Sequence, residues 1–174
     1  SIVKEPSDLH TIRLVGMVKR FLDKSAERSE YLSRTYMSAT RMITLRKRSY
    51  SLSVYVTETA SPATVYLLHT SPFLHKKLLK EASFLFMDAL KFPRISEDNL
   101  LMKVAKFQYL LSHITPFWRG SAAICEWIEM AIFCYHGYNV SYPEKTCMNL
   151  EALTLSLEEF IKKYPSLINI YFND

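Results

Sequence analysis

Residues 29 to 58 read SEYLSRTYMSATRMITLRKRSYSLSVYVTE, and the fold class turns on where helix gives way to strand within them. Over Ser29 to Arg48, the apolar residues Tyr31, Leu32, Tyr36, Met37, Ala39, Met42, Ile43 and Leu45 fit one stripe at helical spacing, and Arg34, Arg41, Arg46, Lys47 and Arg48 decorate the remainder. That pattern predicts a basic helix. From Tyr50 to Glu58 the period shortens to two: Leu52, Val54 and Val56 alternate with Ser51, Ser53, Tyr55 and Thr57, as in a half-buried strand. The turn-like TASP, Thr59 to Pro62, separates this strand from ATVYLL, Ala63 to Leu68, so residues 50–68 read as a β-hairpin.

Upstream, Ser7 and Asp8 can cap a helix running to about Arg28, which makes residues 1–49 a basic helical pair. Downstream, residues 71–163 read as a helical core. Ser71 and Pro72 open one helix, and Pro93 stops it. Ser96 caps the next, with Glu97 and Asp98 in its first turn where the helix dipole favours carboxylates, and Pro116 ends it. Ser121 caps a helix over 122–136, and Gly137 stands where a left-handed C-terminal cap is expected. Because apolar residues nearly encircle that helix, it is expected at the centre of the fold. A last helix spans about Asn149 to Lys163 before Pro165, and LINIYFND beyond it is a short strand or a tail. The expectation is a mainly α, single domain of six helices around residues 122–136, with one hairpin.

Composition fits that picture. Only three glycines occur in 174 residues, too few for a fold built on many tight turns or for a Gly-rich phosphate loop. Hydrophobic residues make up 49% and charged residues 22%, enough apolar surface for a packed core. The net charge is +5, but residues 1–50 hold eleven Lys and Arg against five Asp and Glu, and the rest of the chain eleven against twelve. A basic N-terminal third permits contact with nucleic acid, an anionic membrane or an acidic protein. Cys125, Cys134 and Cys147 lack the spacing of a zinc or disulfide framework, and no metal is expected. Cys125 and Cys134 are expected to pack as small hydrophobes in a reducing compartment, either a cytoplasm or a host cell that receives the protein. No run approaches the roughly 18 apolar residues of a membrane span. The chain opens on Ser1, so it reads as an excised piece of a longer protein.

One loop has chemical potential. HITPFWRGSAA, His113 to Ala123, sets Gly120, Ser121 and the following N–H groups at a helix start, where unpaired donors favour an anion, with Arg119 beside them as a charge-assisted clamp. A phosphate, including that of a nucleotide, or a carboxylate fits there, and no cofactor is required. A Pro-Phe-x-x-Gly loop entering a central helix, with a hairpin upstream, resembles the Fic/Doc-like superfamily of bacterial toxins and secreted effectors. The resemblance implies a loop that binds nucleotide phosphates, a hairpin that aligns a target protein, and a loop histidine that activates the acceptor hydroxyl. Only Pro116, Phe117 and Gly120 match the motif. Thr115 stands at the histidine position, Arg119 at the acidic one, and Ser121 to Ala123 replace Asn-Gly-Arg. Threonine is no general base near neutral pH and arginine holds no Mg²⁺, so AMP transfer by the usual route is not expected.

The weaker catalytic candidates are His113, Thr115 and Glu126. His113 near a helix end is expected as a cap or surface residue. Glu126 and Glu129, three apart, share a helix face and are expected to meet Lys103, Lys106 or Arg119. The leading expectation is a protein-binding domain of a bacterial effector or toxin, with an anion pocket at Arg119, Gly120 and Ser121. Alternatives are a divergent Fic-like transferase, and a basic module that binds nucleic acid or anionic lipid through Arg34, Arg41, Arg46, Lys47 and Arg48.

Overall fold

The computed structural model describes residues 2–3, 16, 27–31, 34–91, 96–114, 120–144 and 146–172. Most of the expected first helix, Ser7 to Arg28, therefore lies outside the described residues. The chain divides into two compact units, Ser1–Ser71 and Pro72–Asp174.

The first unit carries an antiparallel sheet of five strands: β1 (Ile2–Val3), β2 (Glu27–Tyr31), β3 (Arg34–Leu45), β4 (Arg48–Glu58) and β5 (Ser61–Leu68). Their order in the sheet is β1-β5-β4-β3-β2. The expected basic helix over 29–48 is thus replaced by strand, and the expected hairpin is the middle of a larger sheet. The physical reason is visible along β3. Ala39, Arg41, Ile43 and Leu45 are buried while Thr40, Met42 and Thr44 are exposed, a period of two. An arginine at an inward position hides that alternation, and threonines and isoleucine favour the pleated backbone.

The two long strands are joined by a two-residue turn in which Arg46 and Lys47 have φ of 47° and 67°. Positive φ at both central positions is the geometry that matches strand twist, although asparagine and glycine normally occupy it. Opposite Arg41 the ladder slips: Thr40 pairs with Val54 and Met42 with Ser51, so Leu52 and Ser53 share one partner position. This β-bulge reverses the facing of β4. Tyr50 and Leu52 are buried before it, and Ser53, Tyr55 and Thr57 after it, whereas Val54 and Val56 are only half-buried. The expected inward set Leu52, Val54 and Val56 is therefore corrected beyond Leu52.

The second unit contains α1 (Pro72–Ala89), α2 (Glu97–Ile114), α3 (Ser121–Tyr135), β6 (Tyr138–Ser141), α4 (Met148–Thr154), α5 (Leu157–Lys163), a 3₁₀ turn (Tyr164–Ser166) and β7 (Asn169–Phe172). Strands β6 and β7 form a two-stranded antiparallel sheet. The described residues thus form an α/β mixture with five helices, not a mainly α fold of six. The central helix is α2, which packs against α1, α3, α4 and α5; Leu100, Val104, Ala105, Tyr109, Leu110 and Ile114 are fully enclosed. Helix α1 begins at Pro72, directly after Ser71, and α2 begins at Glu97, where the Leu100 N–H donates to the Ser96 carbonyl at 2.9 Å. Gly137 ends α3 at φ 84°.

The expected helix over 149–163 is two helices. Between them, Ser156 accepts from the Glu159 N–H at 3.2 Å and the Glu159 carboxylate accepts from the Ser156 N–H at 2.8 Å, a capping box that starts a new helix. The Leu155 carbonyl at the break accepts from the Tyr109 hydroxyl at 3.0 Å, so the interruption leaves that group satisfied.

Candidate functional site

The loop that drew attention in the sequence is only partly described: Thr115, Pro116, Phe117, Trp118 and Arg119 lie outside the described residues. Of the expected anion site, Gly120 and Ser121 are placed. Gly120 is the N-cap of α3 in the left-handed region, φ 81°, which a side chain rarely tolerates, and no side chain caps the helix. Ser121, expected as the cap, is instead its first residue and is buried. His113 is fully enclosed instead of lying at the surface. Its Nδ1 hydrogen-bonds the Tyr109 carbonyl at 2.8 Å, and its ring centre lies 4.4 Å from that of Tyr109. Both contacts are to its own helix, one turn back.

Glu126 lies half-buried at the rim of α3, while Glu129 is wholly enclosed on its inner face. The Tyr142 hydroxyl donates to Glu129 Oε2 at 2.5 Å, and the Tyr164 hydroxyl donates to Oε1. Burial pushes this carboxyl up to about 7; the tyrosine donations pull it down and the Glu126 charge pushes it further up. The same enclosure, with Glu129 next, pushes the Cys125 thiol up to about 12. Of the three cations expected to meet these glutamates, Lys103 pairs instead with Asp88, and Arg119 lies outside the described residues. The tyrosines stand 13 and 35 residues along the chain from Glu129, a separation no local pattern reveals. The cluster ties α3 to the segments that bracket α4 and α5.

The outer face of α3 is the larger surprise. Trp127 is 67% exposed, and Met130, Ala131 and Cys134 are exposed with it. These positions follow the i, i+3, i+4, i+7 rule of a single helix face. No charged side chain stands among them, and Tyr135 extends the apolar surface at its edge. The buried face is Ser121, Cys125, Glu129, Ile132 and Phe133. The helix expected at the centre is therefore an outer helix with one apolar face packed and another in solvent, and Cys134, expected to be packed, lies on the solvent side. The hydropathy of α3 records two uses of apolar side chains, and sequence periodicity cannot separate them.

The five basic residues read as one surface are dispersed by the strands. Arg34 pairs with Glu58 at 3.6 Å. Arg41 is buried and hydrogen-bonds Tyr55, whose hydroxyl burial pushes up to about 12 while Arg41 pulls it back. Only Arg46, Lys47 and Arg48 stay together, exposed at the hairpin tip. Among the described residues no group of three His, Cys, Asp or Glu gathers as a metal site needs, and no helix is long and apolar enough to cross a membrane.

Comparison with known proteins gives one family. Residues 16–170 match the family model AvrB_AvrC, whose description is avirulence protein. This match overturns the resemblance to the Fic/Doc-like superfamily, for which no family model is matched. No curated protein matches the chain.

Proposed function

The chain belongs to the AvrB_AvrC avirulence protein family, a family of bacterial effectors, and from that premise we propose that it acts within a host cell by binding a host protein through the outer face of α3. The exposed Trp127 carries this reading. Tryptophan is the residue most enriched among the anchors of protein interfaces, and methionine and tyrosine are enriched with it. An isolated surface apolar residue is ordinary, but a charge-free stripe along about two turns of a helix marks an interaction site. Glu126 at its rim supplies the polar border that such interfaces carry.

The partner is best found by cross-linking in host-cell extract from a probe on α3, identified by mass spectrometry, and then titrated as a purified protein. Truncating an interface tryptophan typically costs about 2 kcal/mol or more, roughly thirtyfold in Kd. Trp127→Ala is expected to weaken binding by that much and to leave the urea midpoint unchanged, because the side chain points into solvent. A Kd unaffected by Trp127→Ala and Met130→Ala overturns the assignment of this face.

A further inference from the structure

A second exposed helix face differs from α3 in chemistry. On α1, Phe73 is 93% exposed, and Met87 and, less fully, Phe84 are exposed with it. Lys76, Lys77 and Lys80 are exposed between them. At about 100° per residue these six side chains fall within about 100° of arc. They form one outward face along the whole helix. The opposite side holds Leu78, Glu81, Ala82 and Ala89, all buried, so α1 lies flat on its unit with its mixed face outward. Of the two acids of this helix, Glu81 is on the buried side, and Asp88 is engaged by Lys103 and Lys91.

We propose that this face of α1 seats on an anionic lipid surface. The charge is complementary, and the side chains are of the kind that suits a lipid interface. Lysine is depleted from protein interfaces, yet here it alternates with bulky apolar groups. Its long stem lets a phenylalanine beside it sink into the acyl boundary while the ammonium stays among the headgroups. The uncharged Trp127 face of α3 has the opposite composition, and the two faces serve different surfaces. The length of α1, 18 residues, is too short for a membrane span of its hydropathy and ample for lying in the interface plane.

The test uses the whole chain and sedimented vesicles of phosphatidylcholine, with and without 30% phosphatidylserine. Each lysine near such a surface contributes about a fivefold gain in affinity, so binding to the anionic vesicles should exceed binding to neutral ones. It should fall about a hundredfold in Lys76→Gln/Lys77→Gln/Lys80→Gln. Phe73→Ser should weaken it at constant charge, and raising the salt concentration should release the wild-type protein. Trp127→Ala should leave vesicle binding unchanged, which separates this surface from the one proposed for a host protein. All substituted side chains are exposed, and circular dichroism of each variant is the check that it folds. Equal binding to neutral and anionic vesicles, or binding that survives the triple substitution, overturns the proposal. Retention by a purified acidic protein or an RNA without any vesicle binding overturns it in favour of that partner.

Discussion

The Glu129 carboxyl should make the stability of this protein fall as pH rises, which is the reverse of what salt-bridged acids do. Its folded value stands at about 7 against 4.5 for the free side chain, so between those values the folded state holds a proton that the unfolded state has released. Stability from this group is fully present below pH 4.5 and is lost as pH rises through 7. Each pH unit in that interval is worth up to about 1.4 kcal/mol, so the interval as a whole is worth about 3 kcal/mol. Glutamine reproduces the shape of the neutral acid but cannot ionise. The measurement is urea unfolding of the wild type and Glu129→Gln at half-unit steps from pH 4.5 to 8.5, followed by circular dichroism. Groups elsewhere titrate alike in both proteins and cancel in the difference. The stability difference, glutamine variant minus wild type, should grow by about 3 kcal/mol from the acid to the alkaline end. Removing the Tyr142 hydroxyl as Tyr142→Phe takes away a donor that favours the charged form, so the inflection should move to higher pH. Parallel profiles for wild type and Glu129→Gln would refute the reasoning, because they would mean that Glu129 titrates with the solvent.

Two further outcomes test each unit by itself. Replacing Arg46-Lys47 by Asn-Gly supplies residues that adopt positive φ readily, and unfolding free energy should rise by about 1 kcal/mol; a loss of stability would show that these side chains stabilise the tip more than their backbone strains it. Gln108 is fully enclosed on α2 and its amide nitrogen and oxygen have no hydrogen-bond partner among the described residues, so Gln108→Leu should stabilise the protein by about 1–2 kcal/mol in thermal and urea unfolding; destabilisation would mean that the amide is satisfied.

Helix ends were the most legible part of this sequence, because their signals are local. Ser71-Pro72, Ser96 before Glu97-Asp98, and Gly137 all sit at the boundaries they announce. Strand β3 was not legible, since its inward row is Ala39, Arg41, Ile43 and Leu45, and a buried arginine erases the alternation that a strand otherwise displays. The split between α4 and α5 was open to reading, as Ser156-x-x-Glu159 is a capping box in the sequence itself. The Glu129 cluster could not have been assembled, because Tyr142 and Tyr164 reach it only through the fold of the second unit. The burial of α3 was misread for a different reason: an apolar side chain kept for a partner and one kept for the core have the same hydropathy. Trp127 and Phe133 differ only in which way the backbone turns them.

The bulge at Leu52 and Ser53 bears on how the sheet finds its register. Tyr50 and Leu52 belong to one parity of the chain, and Ser53, Tyr55 and Thr57 to the other, yet all five are buried. A straight ladder can bury one set or the other, never both, so sliding β4 along β3 by a residue exposes an aromatic ring whichever way it moves. The extra residue thereby acts as a detent between the two longest strands, and a deletion of either Leu52 or Ser53 would bring Tyr50, Tyr55 and Thr57 onto one parity, let the ladder run straight and remove the detent.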